Sequence, residues 1–160
     1  MPAIRNENPE PIDSPSRRRL PLLLRRAWYG LNQAFRRRIA HLNLTPDQFI
    51  VMRTLLEGDE QGMTQRELSR AMSSDPNTVA SLLERMEKAG YVERRPHERD
   101  RRAHRIKLLP KGRKTYDAAR SVALKLQGEL LSVLPEEERE TFLGNLVRVA
   151  DACRDAAEPR

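Results

Sequence analysis

Between Pro96 and Ala103 the chain reads Pro-His-Glu-Arg-Asp-Arg-Arg-Ala, which sets Arg99, Arg101 and Arg102 around Asp100. Guanidinium groups are planar, permanently charged and weakly hydrated. Several of them in one short loop suit phosphate oxygens or the negative potential of a narrow minor groove. A second set lies upstream, where Asn77, Thr78, Ser81 and Arg85 recur three and four residues apart. On a helix that spacing makes one face. Short polar groups near a helix start approach base edges closely, and the dipole there favours phosphate. The chemistry implied is recognition of duplex DNA. Catalysis is not implied, because the chain has no phosphate-cradling glycine loop and no Gly-x-Ser-x-Gly elbow, and its carboxylates sit in glutamate-rich helix starts or in mixtures with arginine. Nor is a metal: His41, His97 and His104 are scattered, with no histidine or cysteine pair at ligand spacing.

The elements that must position these groups carry their own signals. Thr64 and Glu67, in Thr-Gln-Arg-Glu, form a capping box that opens a helix burying Leu68, Ala71 and Met72. A break at Ser73-Ser74 follows. Asp75 as N-cap, Pro76 at the first helical position and Gly90 beyond the end delimit a second helix. Within it Val79, Leu82, Leu83 and Met86 recur at helical spacing, which leaves Asn77, Thr78, Ser81, Glu84, Arg85 and Lys88 on the solvent side. After Gly90 the period becomes alternating, with residues 91–95 as one strand and 104–108 as the other, and Pro96, which cannot continue a ladder, begins the turn. Two short helices followed by an arginine-tipped hairpin predict a winged helix-turn-helix. Its expected DNA-contacting set is Thr64, Gln65, Ser74, Asn77, Thr78, Ser81, Arg85, Arg99, Asp100, Arg101 and Arg102. A solvated helix face and a solubilising loop are the plainer readings of the same residues, weighed down by the order in which these parts follow one another.

From about Leu44 to Gly112 the ordered series Leu-Thr-x-x-Gln-Phe, Thr-Gln-Arg-Glu-Leu, Asp-Pro-Asn-Thr-Val, Leu-Leu-Glu-Arg-Met-Glu-Lys-Ala-Gly-Tyr-Val-Glu-Arg-Arg, Asp-Arg-Arg-Ala and Lys-Gly resembles the MarR family of bacterial transcription regulators. The resemblance implies a homodimer that binds a short palindrome, usually as a repressor released by a small ligand or an oxidant. It places the helix of residues 75–89 in the major groove and the wing, through Asp100 and Arg102, at the minor groove, with Asp100 holding the wing arginine. It also implies an effector cleft where the first two helices meet the long fifth one, and by position Trp28, His41, Phe49 and Tyr116 would line it. Core packing, or for His41 a cation at a helix C-terminus, accounts for the same residues. An aromatic carboxylate, or an acyl-coenzyme A thioester, is the effector class expected. The oxidant-responsive branch keeps its cysteine near the amino end, whereas this chain has only Cys153, in an apolar stripe where a thiol behaves as a small hydrophobe. One departure is Leu109-Pro110-Lys111-Gly112, where the family commonly has a capping threonine; proline still starts a helix there, without the hydroxyl.

Composition fits a mainly α protein with a small β-hairpin wing. At 160 residues the chain holds one ordinary domain and no catalytic domain beside it, and its hydrophobic fraction of 38% is modest. The charge of +7 at pH 7, carried mostly by arginine, points to a polyanionic partner. Leu22-Leu23-Leu24 is far short of a membrane span and no signal-peptide pattern precedes it, so a cytoplasmic protein is expected. Residues 1–18 read as a flexible, proline-rich tail. Residues 19–42 and 111–156 read as a helical dimerisation region flanking the winged domain of residues 43–110. In it Leu24, Trp28, Leu31, Phe35 and Ile39 share one face, Tyr116, Ala119, Ala123, Leu126, Leu130 and Val133 follow heptad spacing, and Phe142, Leu146, Val149 and Cys153 extend the stripe beyond Pro135. An intramolecular bundle is the alternative to a dimer, and a nonspecific or protein-interaction winged-helix factor without operator reading is the alternative to an operator-binding regulator.

Overall fold

The computed structural model describes Pro11, Ser14 and residues 19–159, so the tail expected over residues 1–18 lies almost wholly outside the described residues. The helices are α1 (Leu20–Ile39), α2 (Pro46–Glu57), α3 (Gln65–Ala71), α4 (Pro76–Lys88), α5 (Pro110–Leu131) and α6 (Glu136–Ala157). The strands are β1 (Met63–Thr64), β2 (Val92–Pro96) and β3 (His104–Leu108).

Local chemistry sets the boundaries. Thr45 and Thr64 each close a complete capping box, with Gln48 and Glu67, and Asp75 accepts from the Thr78 amide at 3.2 Å. Each such cap contributes about 1 kcal/mol, which matters most for the seven-residue α3, too short to persist without its neighbours. Ser73 takes a left-handed conformation (φ 50°) between α3 and α4, and Gly90 does so (φ 76°) beyond the end of α4. Pro110 is the first residue of α5, and Leu109 ahead of it supplies no side-chain cap.

The sheet has three antiparallel strands in the order β1-β3-β2, not the two of a plain hairpin. Met63 and Thr64 pair with Ile106 and Arg105, so Thr64 serves both as a ladder residue and as the cap of α3. Pro96 differs from expectation: it ends the ladder opposite His104 and does not begin the turn. β2 is an edge strand, where a missing N–H is tolerated.

The core gathers Phe35 and Ile39 of α1, Phe49, Val51, Met52 and Leu55 of α2, Leu68 of α3, Val79, Leu82, Leu83 and Met86 of α4, and Tyr116, Ala119 and Leu126 of α5, closed by Tyr91, Val92 and Ile106. Phe49 meets Phe35 edge-on at 5.0 Å and stacks on Tyr116 at 5.1 Å, joining α1, α2 and α5. Ala71, expected inside, is exposed; Ser69 is buried in its place, its hydroxyl donating to the Gln65 carbonyl at 2.9 Å. The core also stops short along the flanking helices. Trp28 is 54% exposed, Leu130 46% and Val133 82%, and α6 buries none of its side chains among the described residues. Cys153 is likewise exposed within the single chain, not enclosed as a small hydrophobe. Among the described residues no helix is long and apolar enough to cross a membrane.

Candidate nucleic-acid interface

α4 presents Asn77, Thr78, Ser81 and Arg85 to solvent as one stripe, because Val79, Leu82, Leu83 and Met86 are committed to the core behind it. The stripe is already ordered. Asp75 Oδ2 accepts from both the amide and the hydroxyl of Thr78 at 3.2 Å. Arg85 lies back along the helix, with Nε donating to the Ser81 carbonyl at 3.3 Å and a terminal nitrogen to the Ser81 hydroxyl at 3.5 Å. Gln65 Nε2 donates to the Pro76 carbonyl at 3.3 Å, which ties the start of α3 to the start of α4. Thr64 and Ser74 turn their hydroxyls inward to local backbone, Thr64 accepting from Glu67 N and Ser74 donating to the Met72 carbonyl, so they shape the helix starts. Towards the far end of α4, Glu84 pairs with Lys88 at 3.0 Å, and that hydrogen bond holds the Glu84 carboxyl below its ordinary range.

The wing is organised differently from the strands that carry it. Arg94 pairs with Glu87 at 3.1 Å, Arg95 with Glu93, and Arg105 with Glu98 at 3.1 Å. Arg99, Arg101 and Arg102, by contrast, are exposed and belong to no ion pair among the described residues. Arginines of the strands are therefore neutralised within the chain, while those of the tip remain available to an external anion. Asp100 does hold Arg102, but through the backbone: its Oδ1 accepts from Arg102 N at 2.9 Å, a turn of the kind short acceptor side chains make with amides two residues on.

Two anchors escaped the sequence. His97 Nδ1 accepts from the amides of Arg99 and Asp100 at 3.1 and 3.2 Å, and histidine is not among the residues that signal such turns. Arg105 donates to the Gly62 carbonyl at 3.1 Å as well as to Glu98, whose carboxyl is held below its ordinary range first by its own backbone amide and then by Arg105. Gly62 has φ 98° and a Cβ there would lie 2.5 Å from the Ile106 carbonyl oxygen, so the close approach of β1 to β3 requires glycine. No short motif announces a two-residue strand.

The four residues expected around an effector are not brought together within the single chain. Phe49 and Tyr116 stack inside the core, whereas Trp28 and His41 are exposed and stand roughly 20 Å apart along the chain of α1 and its terminal turn. Among the described residues no group of three histidine, cysteine or acidic side chains could hold a metal.

A model of the MarR family matches residues 42–103. The transcriptional regulator HosA of Escherichia coli O127:H6 is 34% identical over 131 residues, covering 79% of this chain and 95% of HosA. The Staphylococcus aureus MepR–DNA complex superposes with a TM-score of 0.77 at 25% identity, covering 83% of this chain and 97% of that one. The transcriptional repressor CouR bound to a 23-mer DNA duplex gives a TM-score of 0.75 at 29% identity, covering 82% and 92%.

Proposed function

This chain belongs to the MarR family of DNA-binding transcription regulators, and from that premise we propose that it acts as a homodimer on a palindromic operator, as a repressor released by a small effector. α4 lies in the major groove and reads base edges through Asn77, Thr78, Ser81 and Arg85, while the wing sets Arg99, Arg101 and Arg102 against phosphates or in the adjoining minor groove. The observation that carries this is the contrast within the wing, whose tip arginines, unlike those of its strands, have no anionic partner among the described residues. MepR and CouR, solved with DNA, supply the precedent for the partner.

The second copy is supported by the unburied apolar faces of α1, α5 and α6. Two reading helices related by a twofold axis must reach major-groove faces about 34 to 36 Å apart, so their separation is a lever on affinity. An aromatic carboxylate or an acyl-coenzyme A thioester that binds two separations unequally would shift occupancy. Of the four effector residues considered, Trp28 and His41 are the two open to such a ligand. A regulator that acts on DNA works where the chromosome lies, which supports the cytoplasm as its compartment.

Selection of the full chain on random duplex DNA tests the reading. An enriched inverted repeat, with half-sites one helical turn apart, is the expected result. Uniform recovery of sequences with a steep salt dependence would instead make the protein a nonspecific basic factor.

A further inference from the structure

We propose that His97 is the positioning residue of the wing: its unprotonated Nδ1 fixes the turn that aims Arg99, Arg101 and Arg102, so ring protonation weakens DNA binding. The loop from His97 to Ala103 holds its shape with very few bonds. His97 N donates to the Ala103 carbonyl at 3.2 Å, Ala103 N to the Asp100 carbonyl at 3.1 Å, and Arg102 N to the Asp100 carboxylate. Two more, from Arg99 N and Asp100 N, converge on His97 Nδ1, beside the bond by which Arg105 holds Glu98. One lone pair thus organises the first half of the tip, and the Asp100 carboxylate organises the second.

The imidazole is suited to this role and not to phosphate contact, since its side chain is only 19% exposed. An Nδ1 that accepts two amides carries no proton, so the ring must be neutral, with its hydrogen on Nε2. A proton added at Nδ1 would replace the acceptor with a donor facing two other donors, and the turn would open. The charged groups around it set the competition. Glu98 Oε2 lies 3.9 Å from Nδ1 and favours the proton, but Glu98 is shared with Arg105, while Arg99, Arg101 and Arg102 in the same loop oppose a further positive charge. Asp100 faces Arg102 N.

This inference rests on the wing touching DNA, and the test separates the two. Affinity of the full chain for its selected operator is measured at fixed salt from pH 8 down to about pH 5.5, across the range in which an imidazole ordinarily titrates. Added charge alone would strengthen binding on acidification, because every new cation is drawn to phosphate. A turn held by neutral His97 gives the opposite sign, weakening as pH falls. His97→Ala is expected to lose about tenfold in affinity at pH 8, the scale of one or two net hydrogen bonds. His97→Asn restores a short acceptor to the turn, so it should recover most of the loss and abolish the acid weakening; both variants are expected to give the wild-type circular dichroism spectrum. Binding that tightens on acidification in the wild type, or an unchanged affinity in His97→Ala, overturns the proposal provided Arg102→Ala weakens binding. If Arg102→Ala is also silent, the wing itself lies off the DNA and the broader reading falls with it.

Discussion

At the scale of single residues, the interface divides by what each side chain can be asked to distinguish. Arg102 is exposed, unpaired among the described residues and held by its backbone to Asp100. In the proposed complex a guanidinium so placed would meet phosphate or groove potential common to all sequences. Arg102→Ala should therefore weaken binding to operator and random DNA alike and lower the slope of log affinity against log salt by about 1, as read from a salt titration. Asp100→Ala leaves every cation in place but frees the turn, so it should weaken binding without changing that slope. Ser81 and Asn77 present hydrogen-bonding groups on α4, and Ser81→Ala or Asn77→Ala should instead alter which base pair is preferred, by roughly 1 to 3 kcal/mol at the contacted position. A competition series against operators changed one base pair at a time checks it; a loss equal at all positions would assign these residues to the backbone. The stripe itself was legible in the sequence, because four apolar residues at helical spacing dictate which residues face out. His97 was not, since its role depends on a turn conformation that no spacing encodes.

Elements transmit these contacts because the joints between them are stiff. Lys111 at the start of α5 donates to the Ala89 carbonyl at 2.6 Å and lies over the Tyr91 ring, capping α4 with the first turn of the next long helix. Gly112 sits beneath the Tyr91 carbonyl oxygen, into which a Cβ would run. The obstacle is backbone, not a movable side chain, so Gly112→Ala should destabilise the protein by about 1 to 3 kcal/mol, visible as a lower urea midpoint with an unchanged slope. Further along, Arg38 pairs with Glu129 at 2.7 Å, linking α1 to α5. The hydrogen bond from Arg38 holds the Glu129 carboxyl below its ordinary range. A depressed carboxylate contributes stability above its unfolded value and loses it as pH falls through the folded one, so Glu129→Gln should flatten the acid side of the stability curve slightly, the pair being exposed. The starts of α2, α3, α4 and α5 were readable because their signals are local: Thr45, Thr64 and Asp75 accept from amides within one turn, and Pro110 stands where a helix needs no N–H. β1 was not, because Met63 and Thr64 become a strand only when β3 arrives from some forty residues downstream, and two residues carry no periodicity. The place of Pro96 in the ladder is hidden for a related reason, since it is tolerated only on an edge, and edges are a property of the assembled sheet.

For the whole molecule, the distribution of burial within one chain is the fact that needs an explanation. The core is filled by side chains such as Ile39, Met52, Leu68, Leu83 and Met86 at almost zero exposure, yet Leu22, Trp28, Leu130, Phe142 and Val147 remain at 45% exposure or more, on helices that were spaced in sequence to pack. Such large apolar groups, gathered on three helices of one protein, make the kind of surface that packs against another chain. A second copy would cover it with a surface of the same kind, and a twofold arrangement makes the patch its own complement. The consequence is measurable without DNA: light scattering should give twice the chain mass, and the melting temperature should rise with protein concentration, because association draws the folded state forward. Phe142→Glu with Leu146→Glu places carboxylates on the stripe of α6 without touching the core, so it should yield a folded monomer that has lost operator affinity steeply but still binds a single half-site. A wild-type chain that scatters as a monomer at micromolar concentration and melts independently of dilution would leave those faces unexplained and remove the geometry on which palindromic reading depends.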